Sequence, residues 1–468
     1  MQDTSLYVRP LTPGIDPVQA FSLIATDDHV FWLDSARSES PMSRISYIGT
    51  VPDSAQVIRV EDARLTNPWE VLERALATAP CPEPDAQLPE GLLGGYVGFW
   101  GYEARASLQS GTPGYTPAHQ AATPDALWMP AVRYMVHEHA TGASWLVGDY
   151  EWIESLTPSL NTLADTPTQE ISGTLPSELG PELPEDFPLI FTAPDREEYL
   201  AAIEHSQREI FEGNSYEVCL TARTAANAST ILSRQQLIRM YSLLRDHNPA
   251  PYAALLLAPD MAVLSSSPER FLSIDSVGRI ESKPIKGTVP RGATEEEDIQ
   301  AAQWLSEDIK TRAENLMIVD LLRNDLSTVC DPGSVRVPVL MGVESYQTVH
   351  QLVSTICGQL RPNVSAVQAT AACFPGGSMT GAPKPETMRI IERLEQRARG
   401  VYSGALGFYS ADGSANLSIV IRTLVVHGRE FSISAGGAIV ADSSPQAEYE
   451  EMLTKLRAAL PASLGVLK

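Results

Sequence analysis

Cysteine, basic residues and long apolar runs are all scarce in this sequence, and each scarcity removes a class of function. The five cysteines, Cys81, Cys219, Cys330, Cys357 and Cys373, are odd in number, and the closest two, Cys357 and Cys373, stand sixteen residues apart. They make neither a disulfide framework nor a CxxC metal knuckle, so free thiols in a reducing cytoplasm are the simple expectation. Only 34 basic residues stand against 58 acidic ones, a net charge of -24. Such a field repels polyanions, so binding to nucleic acid or to a membrane surface is not expected. A small anionic substrate is repelled as well, unless a Lys/Arg cluster or a bound cation reverses the field inside its site. The longest apolar stretch, near Tyr252 to Leu264, is broken by Pro259 and Asp260, and Met1-Gln2-Asp3 begins no basic-then-apolar signal. A cytoplasmic protein with no membrane span is therefore expected. No repeat of regular period is present either.

At 468 residues, 43% of them apolar, the chain can bury a large core; length allows about three domains, and two unequal ones or a single large one fit equally well. Residues 155–190 carry Pro158, Pro167, Pro176, Pro181, Pro184 and Pro188 among Ser, Thr and acidic residues, which predicts a linker or long excursion. It separates an N-terminal region, 1–154, from a region spanning 191–468. In the first, Val30–Leu33 and Gly94–Trp100 are aromatic and β-branched with polar turns between them, the pattern of strands. In the second, a helix is predicted from Asp195 to Gly213 with Tyr199, Ile203 and Ile210 on one side, and another from about Glu295 to Arg323 with Ile299, Leu305, Ile309, Leu316 and Val319 inward. Gly404–Ser410, Asn416–Val426 and Phe431–Ala435 read as a three-stranded meander. Ser444 as cap and Pro445 at the first helical position then open a final helix to about Leu460.

Several residues are candidates for chemistry, each with an ordinary structural reading beside it. On the final helix Tyr449, Met452, Leu453, Leu456 and Leu460 form an apolar stripe, and Glu448 and Glu451 lie three apart, off that stripe. Two carboxylates on neighbouring turns can share a hard cation, although an isolated pair is ordinarily a solvated face. Glu314 stands just before the apolar run Leu316–Leu322, where an unpaired carboxylate is costly, and Mg2+ would satisfy it. Lys286 sits at a bend before Gly287; a desolvated amine there can be a nucleophile, whereas a loop lysine is ordinarily solvated. Glu269 beside Arg270 is a general acid if it stays protonated, or a surface ion pair. Arg422, among apolar residues in what reads as a strand, needs an anion or a salt bridge. His350 by itself reads as a hydrogen-bonded core histidine. The stretch Phe374–Lys384 offers backbone N–H groups to an anion but lacks the ending of a nucleotide-binding P-loop.

In this order, seven stretches resemble the chorismate-utilising family that holds anthranilate synthase component I, aminodeoxychorismate synthase component I and the isochorismate synthases. They are SYEVCLT (Ser215–Thr221), SSSPERF (Ser265–Phe271), KPIKGT (Lys283–Thr288), RAENLMIVDLLRND (Arg312–Asp325), GGSMTGAPK (Gly376–Lys384), IRT (Ile421–Thr423) and AGGAIVADSSPQAEYEE (Ala435–Glu451), spread over about 196–460. FWLDSARS (Phe31–Ser38) and GGYVGFWGYE (Gly94–Glu103) extend the likeness less specifically into the N-terminal region. The resemblance implies an α+β fold, with large antiparallel sheets in a β-sandwich-like core flanked by helices. It implies Mg2+ on Glu314, Glu448 and Glu451, bridging to the ring carboxylate of chorismate. Arg422 and Lys455 would grip substrate carboxylates, helped by Thr380 and by backbone N–H groups at Gly436 and Gly437. His350 would lie near the ring, and Glu269 would help the 4-hydroxyl leave.

Two positions choose the branch. Isochorismate synthases carry a water-activating lysine where this chain has Glu217, which disfavours water addition. Anthranilate synthases usually read PIAGT where this chain reads Pro284-Ile285-Lys286-Gly287-Thr288. In the aminodeoxychorismate branch that lysine attacks C2 as the 4-hydroxyl departs, and ammonia then enters at C4. Such a nucleophile must be unprotonated, so a lowered basicity, through Mg2+ and Arg422, is expected for Lys286. The chain carries no Gly-x-Cys-x-Gly segment, so ammonia is expected from a separate glutaminase subunit in a heterodimer. Anthranilate synthesis, or a silent regulatory subunit binding a ligand such as tryptophan, are the alternatives. Thr311, Ala438 and Glu217 depart from the family's usual acidic residue, glycine and glutamine.

Overall fold

The computed structural model describes residues 6–35, 42, 44–83, 88–108, 117–164, 182–346 and 349–468. Residues 165–181 of the expected linker, Ala36–Ser38 of the FWLDSARS stretch, and Gln347 and Thr348 lie outside that set. Two large antiparallel sheets dominate. One has eleven strands, in the order Tyr7–Pro10, Ala143–Gly148, Tyr134–Glu138, Ile45–Val51, His29–Asp34, Tyr252–Ala258, Met261–Ser267, Thr423–His427, Glu430–Ile439, Glu217–Asn227 and Gly381–Ala382. The other has ten, running Ile285–Pro290, Val349–Gln359, Arg279–Lys283, Arg270–Ile274, Ala415–Ile419, Ala405–Tyr409, Tyr96–Trp100, Ala126–Pro130 and Ile58–Val60, with Arg336–Ser345 also paired to Val349–Gln359.

The sheets pack face to face. Phe31, Val51, Leu256 and Val263 from one interleave with Val97, Phe99, Leu127 and Leu406 from the other, in a layer that excludes water. Strands such as His29–Asp34 are buried on both faces because helices cover the outside, so they read as continuous apolar runs rather than alternating ones. The result is the α+β sandwich that the resemblance implied. Both sheets combine strands from before and after the linker, joined at one seam in each: His29–Asp34 pairs with Tyr252–Ala258, and Tyr96–Trp100 with Ala405–Tyr409. No helix among the described residues is long and apolar enough to cross a membrane.

Three local expectations need correction. Residues 155–164 are not linker: the helix Tyr150–Ala164 runs through Pro158 and anchors Ile153 and Leu160 in the core. Its apolar spacing outweighs one proline. The predicted 295–323 helix is two, Glu295–Glu307 and Ile309–Ser327, because Asp308 turns extended and accepts the Thr311 N–H at 2.8 Å as the second helix's cap. That break resets the helical phase. Leu305 and Val319 stay buried while Ile299, Ile309 and Leu316 are exposed. Finally, Asn416–Val426 is not one strand. Ala415–Ile419 belongs to the ten-stranded sheet and Thr423–His427 to the eleven-stranded one, so the chain crosses between layers at Val420–Arg422. The helix from Asp195 proceeds as expected over Arg196–Phe211, with Tyr199 and Ile203 buried. The final helix, Pro445–Ala458, starts at Ser444, whose side chain makes no capping hydrogen bond.

Candidate active site

The chain crosses between the sheets twice at one place. The first crossing, Ser267-Pro268-Glu269, leads from Met261–Ser267 to Arg270–Ile274; the second, Val420-Ile421-Arg422, leads back. Each crossing holds the other, since the Ile419 N–H donates to the Glu269 carbonyl at 3.1 Å and the Ser266 N–H to that of Arg422 at 3.1 Å. To turn there Arg422 takes φ +50°, a left-handed conformation that costs a non-glycine residue about 1–2 kcal/mol. Two motifs separated by about 150 residues of chain thus deliver an acid and a guanidinium to one corner.

Glu269 is buried, and burial pushes its carboxyl up to about 7 against the opposing pull of a Ser378 hydrogen bond, Lys286 and Arg422. Burial thus favours its protonated form well above the usual carboxylate range, as a general acid requires. Lys286 comes from the edge strand Ile285–Pro290. Register against Val349–Gln359 slips between Ile285 and Thr288, and Gly287 at φ +84° leaves room where a Cβ would meet Thr311 at 2.4 Å. The Lys286 ammonium lies 3.5 Å from Glu217, which opens the strand Glu217–Asn227 and is 0% exposed. Burial opposes the charge on Lys286, but Glu217, Glu314, Cys219 and Glu269 together outweigh it and raise its pKa. Among the protein's own groups, those facing the amine are acidic and favour its charged form; the lowering expected from Mg2+ is a separate contribution.

The three glutamates divide. Lys310 donates to Glu448 at 3.2 Å and lies 3.8 Å from Glu314, so one ammonium is shared by carboxylates from two helices. Glu448 is buried rather than off the stripe, and also accepts the Ser443 hydroxyl at 2.8 Å. Burial raises Glu314 despite Lys286 and Lys310 nearby. Glu451 faces Lys455 at 2.8 Å, and Lys455 also donates to the Gly436 carbonyl at 2.9 Å. Among the described residues no three acidic, His or Cys side chains converge closely enough to hold a metal as they stand. Glu314 and Glu448, already gathered about one cation, fit a divalent ion, with Glu451 one turn further along the same helix as Glu448. Gly437 borders them: a Cβ there would stand 3.2 Å from Glu448 and 3.9 Å from Lys455.

Two candidates are otherwise engaged. His350 is buried, its Nδ1 at 2.7 Å from the Ser345 hydroxyl and its Nε2 at 2.9 Å from Asp298. Both ring nitrogens are therefore used within the fold. Thr380 is also buried, and its hydroxyl donates to the carbonyls of Gly376 and Gly377 at 3.2 and 3.3 Å. A cavity of about 350 Å3 lined by Asp34, Tyr47, Tyr252, Arg270 and Asn416 lies elsewhere, and none of the candidate residues borders it.

Supporting groups escaped the sequence reading. Lys384 of the GGSMTGAPK stretch donates to Asp325 at 2.7 Å, tying that stretch to the end of RAENLMIVDLLRND. Arg399 pairs with Glu395 at 2.7 Å, both almost wholly buried, and donates to the carbonyls of Met379 and Cys219 at 2.7 and 2.8 Å. It thereby fixes the segments bearing Ser378 and Glu217. Charged residues in unremarkable positions gave no signal in sequence. Arg399→Met leaves Glu395 buried without its partner and is expected to destabilise the fold by about 3–5 kcal/mol; a chemical-denaturation shift under 1 kcal/mol would show the pair to be dispensable.

The chorismate binding enzyme family matches residues 28–461. An aminodeoxychorismate synthase of Streptomyces pristinaespiralis is 42% identical over 98% of this chain and 65% of its own length. Aminodeoxychorismate synthase component 1 of Salmonella typhimurium is 34% identical over 95% of this chain and 96% of its own. The chain spans 50–65% of the length of the first curated relatives it matches. The crystal structure of anthranilate synthase component I from Streptococcus pneumoniae superposes with a TM-score of 0.68 at 27% identity, covering 98% of this chain and 92% of that one. A family match spanning most of the sequence, with a relative 34% identical over 95% of it, establishes that this chain belongs to the chorismate binding enzyme family.

Proposed function

We propose that this chain aminates chorismate at C4, giving 4-amino-4-deoxychorismate for para-aminobenzoate and folate synthesis, with ammonia from a separate glutaminase subunit in a heterodimer. The observation that carries this reading is the placement of Lys286, a part-buried amine in ion-pair contact with Glu217 and close enough to Glu269 to influence its charge. Lys286 Nζ bonds to C2, both ring double bonds shift by one position, and the C4–O bond breaks as Glu269 gives its proton to the departing hydroxyl, which leaves as water. Ammonia then bonds to C4, both double bonds shift back and the C2–Nζ bond breaks, freeing the amine. The proton on the new amino group returns to Glu269, so the cycle balances.

Glu314, Glu448 and Glu451 would hold Mg2+, which when bound supplies positive charge for the substrate carboxylate. Arg422 and Lys455 bind carboxylates, with Gly436, Gly437 and Thr380 shaping the floor. His350, held by Asp298 and Ser345, would lie near the substrate ring. The protein acts in the cytoplasm.

Product identification from chorismate and ammonium tests the reading. Aminodeoxychorismate is expected, with glutamine used only after a glutaminase subunit is added. Anthranilate with pyruvate would assign the chain to the other amino-forming branch, and no turnover would favour a ligand-binding regulatory subunit.

Glu269 also sets a pH dependence. Only its protonated form can release the hydroxyl, so Lys286 adduct formation with chorismate, measured without ammonia, is expected to fall as pH rises through about 7. A rate unchanged between pH 6 and 8.5 (roughly an order of magnitude either side of that midpoint) would remove Glu269 from the role.

A further inference from the structure

Glu217 has no counterpart in the mechanism above, yet it is the buried acid nearest the nucleophile. It is 0% exposed, and neither carboxylate oxygen has a hydrogen-bond partner. Its backbone is pinned on the other side, where a Cβ on Gly381 would meet the Glu217 carbonyl at 1.9 Å, and the edge strand Gly381–Ala382 pairs with it, Ala382 opposite Glu217. Among the described residues, its ion-pair contact is the Lys286 ammonium at 3.5 Å. A carboxylate without hydrogen bonds in a dry setting is costly, and a pair kept only for stability would be better served by bonded or apolar groups.

We propose that Glu217 is the proton store of Lys286: it accepts the ammonium proton, leaving a neutral amine to attack C2, and keeps that proton while the amine is covalently engaged. This deepens the reading of Lys286 as nucleophile and rests on it. The pair holds one proton throughout. Lys286-NH3+ and Glu217-COO− become Lys286-NH2 and Glu217-COOH, and the proton returns when ammonia releases the amine. Closing the gap by about 0.5 Å brings the two within ordinary proton-transfer distance. Glu314 from the helix Ile309–Ser327, Glu269 from the sheet crossing and Cys219 from the strand of Glu217 also face the amine. Glu217 stands apart from them as the one in ion-pair contact with it.

The test is adduct formation on the full chain, mixed with chorismate without ammonia, quenched and weighed intact, for the unmutated protein and for Glu217→Gln. An amide cannot take the proton, so solvent must. The rate ratio of unmutated to variant protein is then expected to fall about tenfold for each pH unit of increase; the Glu269 dependence cancels in that ratio. A ratio constant with pH, or a variant as fast as the unmutated protein at pH 7, would overturn the proposal. If Glu217→Gln does not fold, Glu217→Asp serves. It keeps an acceptor, so its ratio should be constant with pH, and a tenfold-per-unit slope would count against the proposal. Absence of any adduct in the unmutated protein would instead sink the reading of Lys286 itself.

Discussion

Lys286→Ala is expected to lower aminodeoxychorismate formation by about 10³-fold or more, while chorismate binding is largely kept. The substitution removes the only amine placed beside Glu269 and Glu217 in the described site, and direct attack by ammonia on the ring is the slow route that remains. Binding should survive because the groups proposed to hold the substrate, Arg422 and Lys455, stand on other elements: the sheet crossing and the final helix. Intact mass spectrometry of the unmutated protein should show an adduct that maps to Lys286. Normal turnover by the alanine variant, with no adduct in the unmutated protein, would reduce Lys286 to a structural ion-pair partner of Glu217. The choice of aminodeoxychorismate over anthranilate would then lose its main physical support.

Glu448→Gln, or removal of divalent cations by excess chelator, is expected to cost on the order of 10²-fold or more in activity. The protein carries a net charge of -24, so an anionic substrate needs a local reversal of field. In the structure the space between Glu314 and Glu448 already attracts the Lys310 ammonium. Burial would let Glu448→Gln disturb folding as well, so Glu451→Gln is the companion variant: its side chain is 49% exposed. It is expected to lose activity with an unchanged melting temperature. Full activity in chelator, or in both variants, would exclude a divalent ion at these carboxylates.

How much of this was legible beforehand differs from residue to residue. Motif order was enough to nominate Lys286, Glu269, Arg422 and the three glutamates, because motifs report which chemistries are present. Apolar spacing predicted the helices after Asp195 and Ser444 correctly, since each has a boundary written in adjacent residues. The split at Asp308 was missed because an aspartate in a helical pattern looks like any exposed residue until its side chain is seen to cap the next turn. Arg422 was placed inside a strand because sequence does not record a change of sheet.

What the sequence determined by itself was an acidic chain, without the cysteine spacing of a metal knuckle or the motif of a glutamine-cleaving thiol, whose aromatic and β-branched runs specify strands. These depend on composition and local spacing alone. Only the tertiary structure decided which acids face the amine. Glu217 comes from a strand 69 positions earlier in the chain than Lys286 and stands 3.5 Å from its amine. The sign of an electrostatic environment depends on distances between segments far apart in sequence, and two sheets crossing at one corner fix those distances.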